Sequence, residues 1–467
     1  MVIGPQSRKL RGRVTRNHAD APSSLTAWGR ARTRCAHLMT SKLPSGFSGR
    51  TLTTLKLAAR VGVGYAKRTL GSGPSGQSEF AETESAEALV EQLGRMKGLM
   101  MKFGQMASYL PGNVGSKAQS VLAQLQASSP PLPFEALATV VETEFGKPLD
   151  ELFDSFSREP LASASIGQVH RAVLGGEQVA VKVQYPGILD VMKQDLRNVG
   201  LMARFGTLGA ASSGSDLAEE LRERILEECD YRIEARNHQA FAHLLSTIPN
   251  ASVPRLVLER SGTTVITSEF VNRLNFAKFL QQGDMRAHNV AGAAIFNACF
   301  FNLFHRGIFN GDPHPGNDLF DGDGNVTFLD FGSVRTFDAK FIDDWKRLAK
   351  VITNDDRAAY NEAMVGVGFV PNPRKFDFEY QWQAVRHLYQ PFLAKEFTFT
   401  AKFIEETYDN LLFKNPNKLT LALPREWLLL NRLQWGLFAV LAQMQATGPF
   451  GEMWREAIES KTDPIQL

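Results

Sequence analysis

Asp312-Pro-His-Pro-Gly-Asn317, followed thirteen residues later by Asp330-Phe331-Gly332, decides how this chain is read. Moving a phosphoryl group from a nucleotide requires a base aimed at the acceptor and two oxygen-donating side chains for magnesium. Asp312 would be the base or water-orienting group, and Asn317 and Asp330 the Mg2+ ligands. Val326-Thr-Phe-Leu-Asp330 reads as a strand that delivers the second ligand. A lone Asp-Phe-Gly recurs through chance and turn chemistry, whereas two oxygen ligands at this spacing behind a β-rich run are far more specific. Asp321-Gly-Asp-Gly-Asn325 looks like the start of a calcium loop. Its sixth-position glycine is replaced by Val326 and its twelfth-position Glu by Gly332, so it reads as a turn between strands.

A second constellation lies upstream. Gln168–Leu174 and Gln178–Gln184 are short β-rich runs joined across Gly175-Gly176, a hairpin signal. The second run carries Ala180-Val181-Lys182, where protein kinases place the strand lysine that holds nucleotide phosphates. Alternation sets Lys182 opposite Val181 and Val183. Before the hairpin stands Leu161-Ala-Ser-Ala-Ser-Ile-Gly-Gln168. There Ala162, Ser163, Ala164, Ser165 and Gly167 let backbone N–H groups approach phosphate. With one glycine left, that loop is stiffer than a Gly-rich one. Thr264–Phe270 reads as a strand, and Glu269 and Val271 fall where a hinge backbone would meet adenine.

Two helical patterns complete the set. Glu82–Tyr109 carries a stripe of Leu89, Leu93, Met96 and Met100, with Lys102 and Gln105 on another face. Asp216–Asn237 reads as one helix with Leu217, Leu221 and Ile225 spaced four apart. Glu228 follows that face inward, while Asp230 lies about 200° round and reaches the cleft only if the helix ends or distorts. Glu219, Glu220, Glu223, Glu227 and Glu234 crowd the same helix, which leaves open the carboxylate that pairs with Lys182. Phe134–Phe156 reads as helical with a break at Gly146-Lys-Pro148.

Over roughly residues 85–450 the chain resembles the UbiB/AarF family of atypical, protein-kinase-like proteins. The matching pieces are Lys102-Phe-Gly-Gln105, the Ala-rich Ala162–Gln168 loop, Ala180-Val-Lys182, Glu228-Cys-Asp230, Asp312–Asn317 and Asp330-Phe-Gly332. The resemblance implies an α+β, two-lobed protein-kinase-like fold with an N-terminal helical extension. It also implies ATP and Mg2+ as cofactors, kinase or ATPase activity, a link to ubiquinone or other prenyl-lipid metabolism, and peripheral membrane association. By the same resemblance Lys102, Glu228 and Asp230 neighbour one another and shape access to the cleft, where a protein kinase would dock its peptide. One departure is that Ser163 and Ser165 interleave the alanines. The implied organisation is a disordered basic segment over 1–45, a helical extension over 46–133, a small lobe over 134–270 and a large helical lobe over 271–467. Two rivals stand beside this reading: a nucleotide-binding regulator or lipid-handling scaffold with incidental turnover, and a small-molecule kinase of the aminoglycoside-phosphotransferase type. The second is disfavoured because such enzymes lack the Lys-x-Gly-Gln helix.

Composition fits a globular protein of 467 residues with 43% hydrophobic content. Residues 1–50 hold ten Lys or Arg against one acid, Asp20, so that segment carries +9 of a net +3 and the remainder stands at −6. This excludes a basic-surface argument for nucleic acid. The expected partners are a lipid or quinone intermediate and a membrane surface met peripherally; a basic helix over residues 52–70 suits that docking or, equally, a short packing role, and a homodimer is left open. Cys35, Cys229 and Cys299 are too scattered for a disulfide frame and suit a reducing compartment. The expected location is cytoplasmic, peripheral on the inner membrane face. The alternative is mitochondrial, if the Arg- and Ser-rich residues 1–40 are a presequence rather than lying upstream of a start at Met39.

Overall fold

The computed structural model describes residues 132–164, 166–193, 226–312, 314–422, 425–465 and 467. The expectations for Lys102 and its helix, Ser165, Asp216–Ile225 and the basic first fifty residues lie outside these.

Helix α1 (Phe134–Phe145) ends at Gly146, whose φ of 68° lets its N–H reach the Glu142 carbonyl. Helical structure resumes only for Leu149–Leu152. The sequence pattern carried it to Phe156, but Phe153 turns extended and strand β1 (Ser155–Ser163) begins. The Phe156 ring lies against Phe153 and His170, with centroids 5.3 and 5.5 Å away, and this packing outweighs the helical periodicity. Strands β2 (Gly167–Leu174) and β3 (Glu177–Gln184) close on Gly175 and Gly176, whose φ values of 60° and 82° are those of a type I′ turn. β4 (Ala251–Ser252) pairs elsewhere, and β5 (Val265–Glu269) completes an antiparallel sheet in the order β1-β2-β3-β5. Val179, Val181 and Val183 of β3 are buried with Leu137 and Val141 of α1.

The run Leu161–Gln168, read as a loop, is mostly strand. Ala162 pairs with Val169 and Ser163 with Gln168, and the Ala164 N–H donates to the Gly167 carbonyl at 2.8 Å. The loop proper is confined to the hairpin tip.

The helix expected over Asp216–Asn237 also breaks. Asp230 adopts an extended φ of −122° and caps helix α2 (Tyr231–Leu245) by accepting from the Arg232 N–H. The Tyr231 N–H goes to the Thr263 carbonyl and Gln184 Nε2 to that of Cys229, so the break is tied to the sheet.

The remainder is dominated by helices around α3 (Met285–Arg306), capped by Asp284 at its start and by Gly307, φ 62°, at its end. Phe296, Phe300 and Phe304 of α3 are buried against Trp345 of α4 (Ala339–Thr353), Leu437 and Phe438 of α5 (Arg425–Met444) and Trp454 of α6 (Phe450–Glu459). The Trp454 indole stacks on Phe392 with centroids 4.0 Å apart and meets Phe300 and Phe304 edge-on. Among the described residues no helix is long and apolar enough to cross a membrane.

Short strands follow α3. β7 (Ile308–Asn310) pairs with β10 (Val334–Thr336), and β8 (Asp318–Phe320) forms a hairpin with β9 (Val326–Phe328) beside β4 and β6 (Leu274–Asn275). Asp321–Asn325 is the turn of that hairpin, its N–H groups from Asp323 and Asn325 folded onto the Asp321 carboxylate. The segment Ser460–Ile465 runs back along α3 and α4. Lys346 donates to Ser460 O and Thr462 Oγ1, Arg306 pairs with Asp463, and the Ile465 N–H reaches Arg306 O. Ile465 packs on a small cluster that includes Phe241, Ile308, Phe331 and Val334.

Candidate nucleotide site

Lys182 is delivered by β3 onto the face opposite the buried valines, and two carboxylates meet it there. Its Nζ donates to Glu234 Oε1 at 2.7 Å and to Asp330 Oδ2 at 3.1 Å, and lies 5.2 Å above the Tyr231 ring. The carboxylate left open by the sequence is therefore Glu234, one helical turn into α2. The break at Asp230 sets the α2 register that turns Glu234 inward. Burial alone would lower the Lys182 pKa, but Asp330 and Glu234 outweigh it and hold the ammonium well above its ordinary value. Glu234 is pushed up to about 7, chiefly by burial, with Lys182 opposing and Asp330 adding to the rise. Asp330 is the most reachable of the three, with 34% of its side chain exposed against 17% for Lys182 and 8% for Glu234.

The Asp312 loop hangs between β7 and β8. Asn317 Nδ2 reaches Asp312 Oδ2 at 3.4 Å, and the Leu329 N–H donates to Asn317 O, which sets Asn317 beside the strand leading to Asp330. Asp318 is pushed up to about 8 by burial and then by the Asp312 charge. Two residues whose role the sequence did not signal hold this arrangement. Asn310 Nδ2 donates to Asp330 O at 2.7 Å while its Oδ1 accepts from the Asp312 N–H at 3.2 Å. Asn237 Nδ2, from α2, donates to Phe331 O at 2.9 Å. Only backbone groups are recognised here, and nothing in residue order marks them.

The start of β2 approaches Tyr231, whose ring lies beside Lys182. A Cβ on Gly167 would sit 2.3 Å from the Val183 carbonyl oxygen and 3.0 Å from the Tyr231 hydroxyl, so only glycine fits. Ala162, Ser163 and Ala164 flank it in β1 and the tip. Glu269 is exposed at the end of β5 with its N–H given to Arg255 O, and Val271 follows half-buried. Glu228 is half-buried and its charge contributes to raising Glu234. Asp230 is held below its ordinary value first by its hydrogen bond from Arg232. The sequence reading set these two acids beside Lys102, which is outside the described residues. The structure does bring Lys182, Glu234 and Asp330 together, with Asp312 tied to the Asp330 carbonyl through Asn310 and Asn317 reaching Asp312.

Raised acids have a definite pH signature. Glu234 and Asp318 keep a proton in the folded chain that the unfolded chain has already released. The stability they contribute is full below about pH 4 and is lost as pH rises through about 7 and 8. The unfolding free energy of the ligand-free chain, read from urea titrations, is expected to fall by several kcal/mol between pH 5 and 8. Glu234→Gln should flatten that slope; an unchanged slope in the variant would remove Glu234 as its source.

A profile for the ABC1 atypical kinase-like domain matches residues 124–364. The chain is 31% identical to the rat mitochondrial atypical kinase COQ8B over 68% of its own length and 62% of that protein's. It is 26% identical to the mitochondrial atypical kinase COQ8 of Saccharomyces cerevisiae over 91% of its length and 87% of the yeast protein's. It spans about three fifths of the rat relative and of a Dictyostelium discoideum kinase relative. Among solved structures, a Mycobacterium tuberculosis protein in complex with erythromycin superposes with a TM-score of 0.63 at 26% identity, covering 83% of this chain and 98% of that one.

Proposed function

We propose, since the chain belongs to the ABC1 atypical kinase-like family, that it binds Mg-ATP between the β1–β2 hairpin tip and the Asp312 loop and transfers or hydrolyses the terminal phosphate. The observation that carries this is the Lys182 ammonium held between Glu234 and Asp330, with Asp312 tied to Asp330 through Asn310.

The residues fit the group they would hold. Mg2+ is a hard cation that takes oxygen ligands, and Asp330 and Asn317 offer a carboxylate just after β9 and an amide oxygen just before β8, the two paired strands. When bound, it supplies neutralisation of phosphate charge. Lys182 would hold the phosphates as a point charge, with Glu234 fixing its direction. The glycine at 167 lets the hairpin backbone come close. Asp312 would take the proton of a water or hydroxyl as its oxygen bonds to the terminal phosphorus and the bond to the bridging oxygen breaks, leaving ADP. A lipid or quinone intermediate is the proposed acceptor class, in support of ubiquinone or other prenyl-lipid metabolism at a membrane surface. The kinship to named COQ8 proteins supports that choice.

The deciding experiment compares wild type with Asp312→Asn for nucleotide binding and phosphate release. The variant is expected to keep nucleotide affinity while phosphate release falls about 10²-fold or more, the contribution of a positioned base. A wild type that binds no nucleotide in Mg2+, or an Asp312 variant with undiminished release, would overturn the reading.

A further inference from the structure

The turn that bears Asp330 is held by side chains from two directions, and this reaches further than the site's reading as a nucleotide cleft, on which it rests. Successive carbonyls are each capped by an asparagine. Asn310, at the end of β7, donates to Asp330 O at 2.7 Å, and Asn237, in the second turn of α2, donates to Phe331 O at 2.9 Å. The Gly332 N–H folds back onto Asp330 Oδ1 at 2.9 Å. Between these bonds the Phe331 ring is 1% exposed, against His238 and Phe241 of α2 with centroids 5.1 and 5.0 Å away. Rotating the turn so that Asp330 leaves the cleft would strand two carbonyls and withdraw the ring from its cluster.

We propose that Asn237 and Asn310 are positioning residues that lock the Asp330-Phe331 backbone, so that the metal-binding carboxylate is preset before any nucleotide arrives. Asn310 does more than hold Asp330. Its Oδ1 accepts the Asp312 N–H, so one amide fixes the base and the metal ligand relative to each other. Asn237 links the same turn to α2, three residues beyond Glu234, so the Lys182 pairing and the turn share one helix.

The test uses Asn237→Asp and Asn310→Asp, which keep size and replace each N–H2 by an oxygen facing a carbonyl. For each variant the gain in nucleotide affinity on adding Mg2+ is expected to shrink about tenfold, with affinity in EDTA within about twofold of wild type. Asn310→His, which keeps a donor, should recover part of that gain. Wild type supplies a check independent of variant folding, because hydrogen exchange over residues 326–336 should be slow in the ligand-free chain and change little with Mg-nucleotide. Folded Asp variants with an undiminished Mg2+ gain, or a wild-type turn protected only on nucleotide binding, would overturn the lock. A wild type with no Mg2+-dependent nucleotide binding sinks the reading of the site instead, and the exchange of the ligand-free chain still decides the lock.

Discussion

Asp330→Asn is expected to lower nucleotide affinity in Mg2+ by on the order of 10²–10³-fold while leaving affinity in EDTA within about threefold. The exposed member of the buried trio changes from a carboxylate to an amide of the same shape, so packing is untouched and a hard cation loses its charged ligand. Lys182 keeps its 2.7 Å contact with Glu234, so the phosphate-facing ammonium stays in place. Glu234 meanwhile loses one of the charges that raise it, and its pKa should drop. Titrating ATP against both proteins, with and without Mg2+, separates a metal ligand from a merely structural ion pair. Equal affinity for both in Mg2+ would exclude Asp330 as a ligand.

The second large effect lies in the helical core. Trp454 is fully buried, stacked on Phe392 and edge-on to Phe300 and Phe304, so Trp454→Ala removes the centre of an aromatic cluster drawn from three helical segments. The expected cost is about 3–5 kcal/mol. Trp454→Phe should cost less than half of that, because the indole Nε1 has no hydrogen-bond partner and nothing polar is stranded by its loss. Urea unfolding of both variants is the measurement; a Trp454→Ala cost below about 1 kcal/mol would mean the cluster repacks.

What was readable in the sequence follows from how far apart the determinants lie. The Gly175-Gly176 turn and the alternation of Val181, Lys182 and Val183 are local, and the hairpin stands where they put it. The β-rich run before Asp330 likewise became β9, and Lys182 and Asp330 meet although 148 residues separate them. Legibility failed where a local signal competed with tertiary bonding. Asp216–Asn237 has sound helical periodicity, yet Tyr231 and Cys229 bond to the sheet and Asp230 becomes a cap, which rotates the following helix and selects Glu234. Ala162 and Ser163 resemble loop residues by size, but pairing with β2 makes them strand. Asn237 and Asn310 recognise backbone carbonyls, a property no residue pattern encodes.

The segment Ser460–Ile465 bears on how the molecule is born. It reaches Arg306 and His305 across about 156 positions and lays Ile465 on the cluster that seats Phe331. A ribosome extrudes the chain from its N-terminus, so the four-stranded sheet is complete long before that isoleucine has been translated. Until then the seat of Phe331 lacks only the contact that Ile465 adds, while His238, Phe241 and the two asparagines that hold the turn have already been made. The Asp330 turn can thus settle against Asn237, Asn310 and Phe241 first, and the Ser460–Ile465 contacts join a seat that already stands.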